Sequence, residues 1–369
     1  MTSRISHTRK SHIFSRYSLV ALGILLQLAP GARAQGFGSE STVASTQVTF
    51  NFVQTPDVSS IGSLGADSEN DIWATSVLKS VALHFDGTQW KTVPMVSSSR
   101  INKVAVVSPT NVWAVGQQTN SSLSQIQHFN GSKWAVVASP HFRSGETLSS
   151  LKAISANSIF AVGSSFDSLG NRIPLIEHFN GTAWSVVTVP NITGAQLFDL
   201  AIISASDMWA IGGTNNSVLT MHFDGIRWSR VSAPAGSATL FAVTAISTKD
   251  VWAVGIQLPG GALTEHWDGT AWKIVSNPGG TGTALNSISA ISATDVWAVG
   301  CNSGCGDVGF QPPLIEHWDG QRWNINSAPL QPGGESGNAV LTFASPRHIY
   351  VGGFVFATSG PVSFLMKGQ

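Results

Sequence analysis

Six histidines recur at one place in a repeated phrase: His84, His128, His178, His222, His266 and His317 each precede a Phe or Trp and then an Asp-Gly or Asn-Gly pair. Imidazoles in that number could hold a metal ion or shuttle protons at neutral pH. Either chemistry needs the rings to converge, yet each belongs to a separate copy of the phrase, 44 to 51 residues from the next. Copies carried by different structural units cannot gather round one ion. The six are therefore read as structural groups, each ring buried and hydrogen-bonded because an unpaired buried polar group is costly. No metal site and no cofactor are expected.

The other reactive side chains are few. Cys301 and Cys305, in "GCNSGCG", are the only cysteines, and in an exported chain they would close a small loop by a disulfide. Tyr350 is the only tyrosine after Tyr17. A copper radical site of the galactose-oxidase kind needs two tyrosines, and a sialidase-like site needs a tyrosine nucleophile with an arginine cluster, so both are disfavoured. Neither a G-x-S-x-G elbow nor an H-E-x-x-H run is present.

The elements that position these residues emerge from the repeat. A Ser, a polar residue three later, then an apolar residue and an aromatic recur at Ser68/Trp73, Ser108/Trp113, Ser155/Phe160, Ser204/Trp209, Ser247/Trp252, Ser292/Trp297 and Ser345/Tyr350. Spacings of 40 to 53 residues fit a four-stranded propeller blade. The best copy reads "LNSISAIS", "DVWAVG", "PLIEHW" and "RWNINSAP" as four strands. An S-x-x-D turn joins the first to the second, and Asp-Gly or Asn-Gly joins the third to the fourth. The latter pair predicts a two-residue type I′ hairpin with positive φ at both positions. A Trp follows each such pair, at 90, 134, 184, 228, 272 and 323, and all 13 tryptophans belong to the repeat.

The seventh unit ends at "PVSFLMKGQ", where a fourth strand is still owed. "FNFVQTP", residues 50 to 56, matches the fourth-strand pattern through Phe50, Val53 and Pro56. The expected fold is all-β: a seven-bladed β-propeller of four-stranded antiparallel blades over residues 46–369, closed by an N-terminal strand that completes blade 7 and removes an open sheet edge. On "DVWAVG" followed by "LIEHWDGQRWNINSAP" the chain resembles the kelch-like propellers. The kelch double Gly stands only at Gly212-Gly213 and Gly352-Gly353. The repeated His, with its S-x-x-D turn and Trp, is also similar to the hydrogen-bond set of WD-repeat propellers.

Ahead of the repeats, residues 1–34 carry a basic start (Arg4, Arg9, Lys10, Arg16), the apolar run "YSLVALGILLQLA" and "ARA" before Gln35. This is the pattern of a signal peptide, too short to span a bilayer, with a Gly/Ser-rich linker over 35–45. A secreted or periplasmic location follows as an expectation, with no membrane span after cleavage. The remaining chain has 15 basic against 20 acidic residues, a net −5. That balance, without basic runs, argues against nucleic acid.

Function on repeat scaffolds concentrates on the face that carries insertions. Here the links from second to third strand, and from fourth to the next first, vary in length. They supply the candidate ligand-binding residues His141, Arg143, Glu146, Asp167, Arg172, Asn215, Asn216, Asp307, Phe310 and Glu335. The reading is a recognition module for a glycan or an extracellular or envelope protein. The alternatives are a carbohydrate-active hydrolase or lyase, or a structural envelope-associated protein.

Overall fold

The computed structural model describes residues 47–96, 99–119, 123–140, 145–215, 217–302, 312–329, 334–344, 347–357 and 360–369, within a compact unit Gln47–Gln369. Residues 1–45, expected from the sequence to be a signal peptide and a linker, lie outside the described residues. Seven four-stranded antiparallel sheets make up the unit, with no helix among the described residues. Their first strands are Ser63–Ser68, Ser99–Ser108, Thr147–Ser155, Gln196–Ser204, Ala238–Ser247, Ala284–Ser292 and Gly334–Ala344. Each first strand contacts the first strands of the neighbouring blades, and that of blade 7 meets that of blade 1, so these strands line the central channel of a closed ring.

Seven hydrophobic clusters hold the ring, one at each junction between consecutive blades. The second strands, such as Asp71–Thr75 and Asp295–Cys301, are buried along most of their length because both sheet faces are covered. Their tryptophans reach across to the next blade. Trp73 meets Trp134 edge-on at 5.8 Å, Trp113 meets Trp184 at 5.8 Å, and Trp252 meets Trp323 at 5.4 Å.

Closure uses the same contact. Strand Phe50–Phe52 pairs with Gly360–Gly368, with Phe50 opposite Gly368 and Phe52 opposite Met366. Phe50 then meets Trp297 edge-on at 5.9 Å, in the place of a fourth-strand tryptophan. The N-terminal strand thus completes blade 7.

Two turn features depart from, or add to, the sequence reading. The Asp-Gly and Asn-Gly loops are not type I′, because only the Gly has positive φ, from +86° at Gly87 to +93° at Gly320. The preceding Asp or Asn instead closes a longer loop with its side chain. Asp268 Oδ1 accepts the N–H of Thr270 (2.9 Å) and of Ala271 (3.0 Å), and the other five loops do the same. A side chain that mimics a backbone acceptor removes the need for a left-handed first residue.

The Gly that ends "WAVG" answers to a close approach. The first strands of blades 2 to 6 bulge near their start, as between Leu285 and Ser287. The bulge pushes a carbonyl against the second strand, so a Cβ on Gly300 would lie 1.8 Å from Ala284 O. Blade 1 has no bulge there and carries Ser76 at the equivalent place.

Candidate functional site

The repeated histidines each pair within their own blade. His84, His222, His266 and His317 place Nε2 2.8 to 2.9 Å from Oδ1 of Asp71, Asp207, Asp250 and Asp295, the first residue of the second strand. His128 uses Asn111 at 2.9 Å and His178 uses Ser158 at 2.9 Å. Each ring lies against the second-strand aromatic, with centroids 4.2 to 4.5 Å apart. The rings are half-buried rather than buried, His222 keeping 29% of its side chain exposed.

Local charge sets how these groups titrate. Burial lowers the pKa of His128 and His178, whose partners are neutral. Asp295 behaves oppositely: burial would raise its pKa, but hydrogen bonds from His317 and Arg347, with the Arg347 charge, hold it well below the usual carboxylate range. In blade 7, Lys367 lies over the Tyr350 ring at 5.4 Å, where the other blades stack His on an aromatic.

On the variable face, the end of blade 3 holds Arg172 in a polar patch and carries Glu146 on the opposite face of its sheet. Arg172 donates from Nη1 to Gln196 Oε1 (2.6 Å) and Ser164 Oγ (3.4 Å), and its guanidinium covers the Phe166 ring at 5.5 Å. Glu146 is fully buried and accepts a 2.5 Å hydrogen bond from Ser165 Oγ, on the strand that carries Ser164. A groove of about 290 Å³ opens beside this patch, lined by Phe166, Ile173, Leu175, Val187, Val189 and Pro190 among others.

Asp167 is spent on its own loop, where it accepts hydrogen bonds from Asn171 Nδ2 (3.0 Å), Asn171 N (2.8 Å) and Leu169 N (2.9 Å). The Asn171 contacts hold its carboxyl below the usual range. Asn215 sits over Gly194. Glu335 pairs with Val355 in the first strand of blade 7, but its side chain lies outside the described residues. His141, Arg143, Asn216, Asp307, Phe310 and Cys305 also lie outside them. Cys301 is buried, and no free cysteine is found among the described residues.

Sequence reasoning missed two sets of residues. The first lines the channel. Residues at the first-strand bulges form a collar near the variable face: Asn102, Asn286 and Asn338 donate to Leu148 O (2.7 Å), Gly337 O (3.2 Å) and Ile61 O (3.4 Å) of the next blade, and Phe198 meets Phe241 edge-on at 5.8 Å. Just beyond it lie Lys103, Ser150 and Asp199 of blades 2, 3 and 4, with Lys152 two residues past Ser150. A lone Lys in a strand of small and apolar residues was the available signal. That the three blades bring these charges together is invisible along the chain.

The second set precedes the histidines. Glu177, Glu265 and Glu316 are fully buried on the third strands, opposite Ala161, Ala253 and Ala298. Glu177 accepts from Ser139 Oγ at 2.9 Å and Glu265 from Ala235 N at 3.0 Å, both on the link that enters the blade. Glu316 has no hydrogen-bonded oxygen, since the Gly279 amide that favours its charge is donated to Asn277. Burial pushes the pKa of Glu265 up to about 7 and that of Glu316 up to about 8. The repeated Glu-His dipeptide was the signal for these.

No protein-family model matches the chain, and no curated protein does. Many solved structures do. The YCF48 structure bound to D1 peptide is 14% identical, with TM-score 0.58 over 89% of this chain and 99% of that one. The WD40 β-propeller domain of Doa1 is 11% identical, with TM-score 0.59 over 86% and 96%. A virginiamycin B lyase from Staphylococcus aureus is 10% identical, with TM-score 0.60 over 86% and 99%. At these identities the likeness shows the propeller fold alone.

Proposed function

We propose that the chain is a recognition module whose ligand, a glycan or a segment of another protein, seats on the variable face beside blades 3 and 4. One observation carries this reading. Arg172 is fixed by Gln196, Ser164 and Phe166 at the lip of an apolar groove, whereas the Asp-Gly loops of the opposite face spend their polar groups on themselves. A preorganised cation beside an apolar surface suits sugar hydroxyls or a peptide. The YCF48 neighbour was solved with a peptide, which supports a peptide arm of the test. In the same reading the repeat is of a kelch-like type, the first 34 residues export the chain, and a Cys301–Cys305 disulfide staples a variable link.

The test is a glycan array and a peptide library probed with the wild type and with Arg172→Ala. Binding that falls at least about tenfold (about 1.4 kcal/mol) in the variant supports the proposal. Equal binding by both proteins, or none by either, contradicts it. Turnover of a bound glycan would favour the hydrolase or lyase reading instead.

A further inference from the structure

We propose that the central channel contains an anion site, separate from the face that takes the main ligand, in which Lys103 and Lys152 together hold a monoanionic carboxylate. The geometry starts from Asp199, on the first strand of blade 4. Its Oδ1 accepts from Ser150 Oγ of blade 3 at 2.6 Å, and its Oδ2 accepts from Val243 N of blade 5 at 3.2 Å. Asp199 is therefore satisfied without a lysine. Lys103 of blade 2 nevertheless reaches it, with Nζ 3.8 Å from Oδ1. To pass from blade 2 to blade 4, the side chain has to cross in front of blade 3, through the channel.

Lys152 comes from blade 3, between them. Among the described residues it forms no hydrogen bond and no close ion pair, and its side chain is exposed to the water of the channel. The protein that walls the channel and the nearby Lys103 charge lower its pKa, and Asp199 only partly opposes them. Two lysines and one aspartate thus lie on three adjacent first strands, Lys103 against Asp199 and Lys152 two residues past the Ser150 that bonds it, which leaves one positive charge uncompensated among these described side chains. The other charged residues of these three strands give no relief: Arg100 adds to the positive charge, three residues before Lys103. Like charges held together in a walled space repel more strongly than in open water. One carboxylate between the two ammoniums would neutralise the excess and accept hydrogen bonds from both. A dianion such as phosphate would overshoot the charge, and a neutral ligand would leave the repulsion in place.

The test uses acetate as the probe, titrated calorimetrically at fixed ionic strength with chloride as the balancing ion. The wild type is compared with Lys152→Met, Lys103→Met and Lys152→Arg, after circular dichroism confirms that each variant folds. Acetate should bind the wild type in competition with no more than weak chloride binding. Affinity should fall at least about tenfold in either Met variant and stay within a few-fold in Lys152→Arg. Acetate binding unchanged in Lys152→Met, or acetate no better than chloride, would overturn the proposal. Inorganic phosphate binding more than about tenfold tighter than acetate would overturn the monoanion assignment. None of these measurements involves Arg172 or the array ligands, so the two proposals fail separately.

Discussion

Replacing Glu316 by Gln should raise stability at alkaline pH by several kcal/mol while changing it by less than about 1 kcal/mol at pH 5. The folded chain holds the Glu316 pKa at about 8 by burial, against an ordinary value of 4.5. Below pH 4.5 both folded and unfolded chains carry the proton, and the group contributes nothing. As pH rises, the unfolded chain ionises first, so it binds fewer protons than the folded one and stability falls. The loss is complete once pH passes the folded value. At about 1.4 kcal/mol per unit, it amounts to about 5 kcal/mol for Glu316 and about 3 kcal/mol for Glu265, raised to about 7. Gln is compatible with the site, because Gln127 occupies the same third-strand position in blade 2 and accepts Val96 N at 3.1 Å.

The assay is urea unfolding followed by tryptophan fluorescence from pH 5 to 9. His128 and His178 act in the other direction, since their lowered pKa values remove stability as pH falls below 6.5. The informative quantity is therefore the wild type minus Glu316→Gln difference, which cancels them. It should be below about 1 kcal/mol at pH 5 and grow to several kcal/mol in favour of the variant by pH 9. A difference that stays flat across this range would refute the buried-proton argument.

Three further outcomes follow from the packing. Gly300→Ala should cost at least about 3 kcal/mol in the same assay, because its Cβ would meet Ala284 O at 1.8 Å, whereas Gly236→Ala, with nothing within 4 Å, should stay within about 0.5 kcal/mol. His178→Ala should cost about 1 to 3 kcal/mol through loss of the Ser158 bond and the Phe160 stack, with ligand binding retained. Asp268→Ala should lower the melting temperature, because it strands the Thr270 and Ala271 amides.

Repetition is what made the fold legible. One short strand such as "DVWAVG" is weak evidence, but seven copies in register fix the blade count, and Phe50 could be matched to Trp272 across most of the chain. The Asp-Gly loops show the limit of that reading. The dipeptide suggested a backbone turn type, while the structure closes the loop with the Asp carboxylate, a choice that residue identity alone does not reveal. The candidate site was less legible. Arg172 stood out by its place in a variable link, but its lock on Gln196 depends on how blades 3 and 4 meet. Lys103, Lys152 and Asp199 converge only because the ring curves three first strands around one axis, and nothing local in the sequence encodes that meeting.

Ring closure supports everything else, and a cross-strand disulfide tests it directly. Asn51 lies opposite Lys367 in the pairing of the N-terminal and C-terminal strands, and paired Cα atoms in an antiparallel ladder sit about 4.5 to 5.5 Å apart, within disulfide reach. The double variant Asn51→Cys, Lys367→Cys should oxidise to a monomer with an internal bridge and a higher melting temperature than its reduced form. Failure to form the bridge, or its formation only between two chains, would contradict the closed seven-bladed ring.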